Sequence, residues 1–311
     1  MRLARAIGYD RPWMEGELWL GMLDLIEGNF DAALAHLEPT LDVEDWRWDP
    51  FFRAVGRSLL GEVHTAQGRY RDAREQLELG LAWAAEHKDA FGEAQVRRGL
   101  AWLAYVEGDL GGAADELARA LGPLRAMDRR EAARCLALEA HVELAGGRFD
   151  AAKAGAGEAL ALGRAADSVR AIAPALEVEA MLARRAGESD AAEDLFHEML
   201  TVSLRAGHRP GVCEALYGLA GAVADGERFE EAARLHAAAQ TLRDRLGYTR
   251  LPIRQIAHDD DIQQVADALG PAGFEAAWNE GAALSTQDAA AYARRRRGER
   301  KRPAHGWNSL T

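Results

Sequence analysis

The chain repeats itself. Gly28, Gly68, Gly108, Gly147 and Gly187 follow one another at spacings of 40, 40, 39 and 40 residues, and each opens a similar string. The string is Gly, any residue, a large apolar residue, two residues, then Ala. It appears as Gly28-Asn-Phe30-Asp-Ala-Ala33, Gly68-Arg-Tyr70-Arg-Asp-Ala73, Gly108-Asp-Leu110-Gly-Gly-Ala113 and Gly147-Arg-Phe149-Asp-Ala-Ala152. Two copies are degraded: Ser189 replaces the large residue ahead of Ala192, and in the sixth Phe229 and Ala232 keep register while Gly226 lies one position early. A fixed period of this length constrains the architecture before any single residue does. Each unit is a supersecondary element that buries its apolar face only by stacking on its neighbours.

The unit reads as helix, tight turn, helix. Glycine takes the left-handed conformation that ends a first helix, the large apolar residue packs as the second begins, and the small Ala permits close approach. Apolar residues at helical spacing lie upstream of the glycines, as in Leu18, Leu20, Met22, Leu25 and Ile26, and downstream, as in Tyr70, Ala73, Leu77 and Leu81. With only 9 Pro and 7% aromatic residues, composition agrees with an all-α chain. The expected result is a single elongated domain.

These motifs resemble the tetratricopeptide repeat. The Leu-Gly or Leu-Ala pair of that family's first helix is present as Leu20-Gly21, Leu60-Gly61, Leu100-Ala101 and Leu219-Ala220, while Glu139-Ala140 and Glu179-Ala180 depart from it. The period of about 40, against 34 in the family, implies longer helices. The resemblance implies an all-α, right-handed solenoid of about six helix pairs over residues 1–249. A small helical cap is expected over 250–293 and a basic linker over 294–311. In the cap, helices are predicted near 259–269, 271–283 and 285–297. Asp259, Asp260 and Asp261 are placed at a helix start, Pro271 in a first turn after Gly270, and Ser285 as an N-cap with Asp288 three positions on.

A second resemblance rests on the order of segments near the end. These are Ala233-Arg-Leu-His-Ala-Ala-Ala-Gln-Thr-Leu-Arg, Phe274-Glu-Ala-Ala-Trp278-Asn-Glu-Gly281, Leu284-Ser-Thr-Gln-Asp-Ala-Ala-Ala-Tyr292-Ala, the Arg run, and Gly306-Trp-Asn-Ser-Leu-Thr311. That order is similar to the end of the sensor region of large LuxR-type transcriptional regulators of actinobacteria. In such regulators a nucleotide-binding module precedes the repeats and a helix-turn-helix DNA-binding domain follows them. No GxxxxGK[ST] occurs here, so the chain is expected to be the sensor segment of such a regulator, or a truncated relative. The opening Met1-Arg-Leu-Ala-Arg-Ala reads like a second helix lacking its partner. The implied function is to receive an effector or partner and couple its binding to DNA-binding activity. The alternative is a free-standing scaffold for peptides or proteins.

First helices usually line the concave side of such a superhelix, which makes Gln95, Arg98, Trp102, Tyr105, Arg134 and His141 the candidate ligand or partner groove. Glu62, Met181, Arg184, Glu214 and Tyr217 extend it. The competing reading puts Trp102 and Tyr105 in the core and the arginines in solvent.

Charge is partitioned. The formal total is −12, yet Arg294, Arg295, Arg296, Arg297, Arg300, Lys301 and Arg302 against Glu299 give one short stretch +6 and the rest −18. The body should repel nucleic acid, and the run is a possible phosphate-contacting tail without base-reading geometry. DNA contact is otherwise expected only through an absent domain.

Catalysis is not expected: there is no HExxH, no GxSxG, and adjacent acids such as Asp259 to Asp261 cannot share one helix face. Cys135 and Cys213 lack metal-ligand spacing and read as buried, small apolar residues. No cofactor, metal or membrane partner is anticipated. Absence of a long apolar run suggests a cytoplasmic chain, with self-association through uncapped ends a possibility.

Overall fold

The computed structural model describes residues 10–41 and 50–295. Twelve helices form the repeats: α1 (Asp10–Glu27), α2 (Phe30–Leu41), α3 (Pro50–Ala66), α4 (Tyr70–His87), α5 (Ala90–Glu107), α6 (Leu110–Met127), α7 (Arg129–Ala145), α8 (Phe149–Ala165), α9 (Val169–Arg185), α10 (Ser189–Arg205), α11 (Arg209–Asp225) and α12 (Phe229–Leu246). A 3-10 turn at Pro252–Arg254, α13 (Gln255–Ala282) and α14 (Thr286–Arg294) follow. Fourteen helices packed as sequential pairs are thus present among the described residues.

The repeat string does what its chemistry requires. In the six pairs a backbone N–H two or three residues past the first helix donates to a carbonyl five residues back, as in Asn29 N to Asp24 O (2.7 Å) and Arg148 N to Glu143 O (2.9 Å). Such closure needs a left-handed residue, supplied by Gly28, Gly68, Gly108, Gly147 and Gly187 at φ 74–87°. In the sixth pair Glu227 takes that conformation at φ 58°, because Gly226 is one position early. Ala33, Ala73, Ala113, Ala152, Ala192 and Ala232 all have zero exposure. One turn on, Leu37, Leu77, Leu117 and Phe196 are fully buried, each contributing roughly 2–3 kcal/mol of apolar burial. Leu37 and Leu77 meet the small member of the Leu-Gly pair, where a Cβ at Gly21 or Gly61 would lie 2.6 Å from the leucine.

The elongated form anticipated from the period is not what the chain builds. The last repeat returns to the first: Arg209 of α11 donates to the Glu27 carbonyl and to Asn29, and Pro210 lies against Gly28. Six pairs therefore complete one turn, closed where the C-terminal end of α1 meets the N-terminal end of α11. The register explains the closure. Glu62 pairs with residues 36, 72 and 108 positions on, so lumen neighbours are 36 residues apart although the repeat is 40. Each first helix is stepped by four residues, about 6 Å, and five steps make about 30 Å, close to the length of an 18-residue helix.

After Gly247 the chain crosses the interior of this turn. Thr249 N donates to the Ala66 carbonyl at 2.8 Å, Tyr248 lies 6.2 Å from Phe30, and Leu251 is buried with residues of α5 and α7. The cap helices then pack on α12. They start earlier than expected, at Gln255, so Asp259 and Asp261 are within a helix and bond Arg250 and Arg184 rather than cap. The break at Gly270 (φ 67°) before Pro271 and the Ser285 cap on Asp288 N (3.1 Å) are as the sequence predicts.

Candidate binding cavity in the lumen of the turn

First helices line the lumen, and because they run in parallel and step by one turn, their inward residues form levels spaced 36 apart. One level is Ile26, Glu62, Arg98, Arg134 and Arg170. A second, one turn on, is Ala66, Trp102, Leu138, Pro174 and Pro210. A third begins with Tyr105, His141 and Glu177. The first level is a charged septum between two cavities. The inner one, of about 200 Å³, is bounded by the second level and by Tyr248, Leu251 and Arg254 of the crossing segment. The outer one, of about 330 Å³, opens towards the N-terminal ends of α5, α7 and α9. Ile26, Arg134 and Arg170 border both.

In the septum, Arg134 reaches both oxygens of Glu62 (2.9 and 3.0 Å) and of Glu131 (2.8 and 2.9 Å). Arg98 bridges the same two carboxylates, and Arg170 bonds Glu62. Burial pushes the Glu62 carboxyl up, but Arg134, Arg170 and Arg98 outweigh it and hold it well below its ordinary range. Arg170 is pulled down to about 10, by burial and then by the neighbouring charge of Arg134. Three guanidiniums face two carboxylates, which leaves one positive charge in excess.

The inner end is held by the crossing segment. Arg254 pairs with Glu177, stands 3.7 Å from Glu214 and donates to Nδ1 of His141 at 3.1 Å, so His141 carries its proton on Nε2. Burial and the Arg254 charge keep that imidazole neutral, well below its ordinary pKa. Tyr105 lies 6.0 Å from His141 and stacks on Trp102 at 5.7 Å.

Sequence reasoning assembled part of this site. Arg98, Trp102, Arg134 and His141 line the inner cavity, and Gln95 and Arg134 the outer one. Tyr105 is core, 3% exposed, in line with the competing reading, whereas Arg98 is buried rather than solvated. Glu62 and Glu214 belong to the lumen. Met181 and Arg184 line neither cavity: Met181 packs on the apolar core, and Arg184 ties Asp225 to Asp261. Tyr217 is buried behind the lumen, its hydroxyl between Gln240 and Arg250 at 2.8 Å each. Glu131, Arg170, Glu177, Tyr248 and Arg254 were missed. A 36-residue comb through Glu62, Arg98 and Arg134 would have found Arg170; the residues of the crossing segment carry no periodic signal. Of the basic run, Arg294 is exposed at the end of α14 and Arg295 follows it, while Arg296, Arg297, Arg300, Lys301 and Arg302 lie outside the described residues.

Comparison with solved structures places the architecture. Over 90% of this chain and 44% of the other, it superposes on a Signal Transduction ATPase with Numerous Domains that carries a tetratricopeptide repeat sensor, from Pyrococcus horikoshii, with a TM-score of 0.51 and 12% identity. The fold is that of tetratricopeptide-type helical repeats. In sequence, 137 residues, 44% of the chain, are 39% identical to proteins named as HTH-type transcriptional regulators in Mycobacterium bovis and Mycobacterium tuberculosis. The matched stretch is 16% of those regulators' length, so this tetratricopeptide-type chain is related to one region of them. No protein-family profile matches the chain. No helix among the described residues is long and apolar enough to cross a membrane.

Proposed function

We propose that this chain is the effector-receiving segment of an HTH-type transcriptional regulator, non-catalytic, with the lumen of the superhelical turn as the effector site. The observation that carries the reading is the crossing segment. Tyr248, Leu251 and Arg254 form one wall of the inner cavity, and the same residues lead directly into α13, on the way to the C-terminal end. A ligand that moves this wall moves the cap. The partial match to HTH-type regulators supplies the output such a displacement would serve. Thiol chemistry gains no support: burial pushes Cys135 up to about 12, and Cys213 also upward, so neither presents a thiolate.

Coupling requires an effector that binds the closed and opened turns with different affinity, since equal affinity shifts no equilibrium. Small-angle scattering of the chain with and without a saturating ligand tests it. A change in radius of gyration is expected, and superimposable profiles remove the mechanism. A second reading, a scaffold for a peptide or partner helix, draws on two exposed apolar residues one turn apart on α1, Trp19 (60% exposed) and Leu23 (52%). Native mass spectrometry of the purified chain separates the two: a low-mass ligand supports sensing, a co-purifying polypeptide the scaffold.

A further inference from the structure

Two walls of the outer cavity differ in kind. One is apolar, built by Trp19 and Met22 of α1, Phe52 and Val55 of α3, and Phe91 of α5. The facing wall is Arg134, Arg170 and the first turn of α9, whose N-cap residue Ser168 makes no side-chain cap bond. Helix N-termini carry partial positive charge, and α5, α7 and α9 all point theirs at this opening. Both arginines are already in the septum, which has one guanidinium more than its carboxylates can neutralise. The two further acids at this opening, Asp128 and Asp167, are offset by Arg130 in the same lining and by Arg205, so the excess stands. Asp128 is committed to capping α7 through Arg130 N at 2.8 Å, and Asp167 is 87% exposed beside Arg205. Glu131 is held by Arg134 and Arg98.

We propose that the outer cavity binds an amphiphilic organic anion, its carboxylate or phosphate seated between Arg134, Arg170 and the first turn of α9, its apolar body along the α1–α3 wall. The anion completes the charge balance of the septum, and the apolar wall contributes only when a hydrocarbon or aryl body covers it. The proposal rests on the reading of the lumen as an effector site and names the class of effector. It also gives the septum a route to the inner cavity, since Arg134 and Arg170 border both.

The test uses the whole 311-residue chain and four ten-carbon probes below their micelle concentrations: decanoate, decyl phosphate, decanol and decyltrimethylammonium. Calorimetric titration is expected to show saturable binding of at least one anion, with decanol at least tenfold weaker and the cation not bound. Whichever anion binds more tightly identifies the head group. Arg170→Met should weaken the anion at least tenfold. Glu131→Gln, which removes a competing carboxylate, should tighten it several-fold, an outcome that a merely structural role for the septum does not give. Val55→Glu should abolish binding with the melting transition retained. If Arg170→Met does not fold, the gain from Glu131→Gln decides. Equal binding of all four probes, no binding of either anion, or a Glu131→Gln variant with unchanged affinity overturns the proposal. Failure here leaves sensing by another class of ligand intact. Anion binding with superimposable scattering profiles keeps the site and removes the sensor mechanism.

Discussion

A single backbone position shows how a repeat tolerates error. Glu227 stands where five sister repeats have glycine and is held at φ 58° by the same closure, its successor Arg228 N bonding Val223 O at 3.0 Å. A side chain in the left-handed region is strained, and glycine relieves the strain at a smaller cost in unfolded-state entropy. Glu227→Gly is therefore expected to raise stability by about 1 kcal/mol, read from urea unfolding at neutral pH. A loss of stability would mean that the turn is held by the glutamate side chain and not by backbone geometry. At this scale the sequence was nearly sufficient. The misplaced Gly226 announced an irregular sixth turn, but not which residue would take the strained conformation.

Helices meet through small residues, and the tightest approach to a neighbouring helix's backbone joins the cap to the repeats. Gly281 of α13 lies against the backbone of α12, where a Cβ would come within 2.2 Å of the Arg234 carbonyl oxygen. Backbone cannot yield as a flexible side chain does, so Gly281→Ala must push the two helices apart. A cost of about 1–3 kcal/mol is expected, together with faster proteolysis between Gly247 and Gln255. Unchanged stability and cleavage would show that α13 has slack against α12. The sequence indicated the cap helices and their breaks at Gly270 and Ser285. Their start at Gln255 escaped it, because Asp259 to Asp261 look like a cap until the partners of Asp259 and Asp261, Arg250 and Arg184, are brought to them by the fold.

The closed turn as a whole is set to be acid-sensitive. His208, His236 and His258 are pushed down to about 3, in each case by burial first, and His141 falls well below its ordinary value. The unfolded chain protonates these groups near pH 6.5, so their contribution is complete above that pH and is lost as pH falls, at about 1.4 kcal/mol per unit for each. Glu62 and Glu131, both lowered, add a loss in the same direction at lower pH, whereas Glu139 and Glu179, raised by burial, oppose it. Urea midpoints are expected to fall between pH 7.5 and 5.5. His236→Phe, which replaces a 1%-exposed imidazole with both ring nitrogens unpartnered, should flatten that slope. A midpoint independent of pH over this range would contradict the burial of these rings.

What the sequence by itself determined is local and periodic: the helix pairs, their turns, the buried alanines and the first-helix face that carries Arg98, Trp102, Arg134 and His141. Left-handed closures and small-to-large contacts recur within about 20 residues, and such information is written at each position. The comb of charged residues at 36 was also present, but its meaning depends on the step between neighbouring first helices, which side-chain interdigitation across each joint decides. Only the tertiary structure fixed that step, and with it the meeting of α1 with α11, the cavities on either side of the septum, and the path of Tyr248 to Arg254 through the lumen. A small offset at one joint is invisible in any single repeat, yet summed over the turn it determines whether the superhelix stays open or closes.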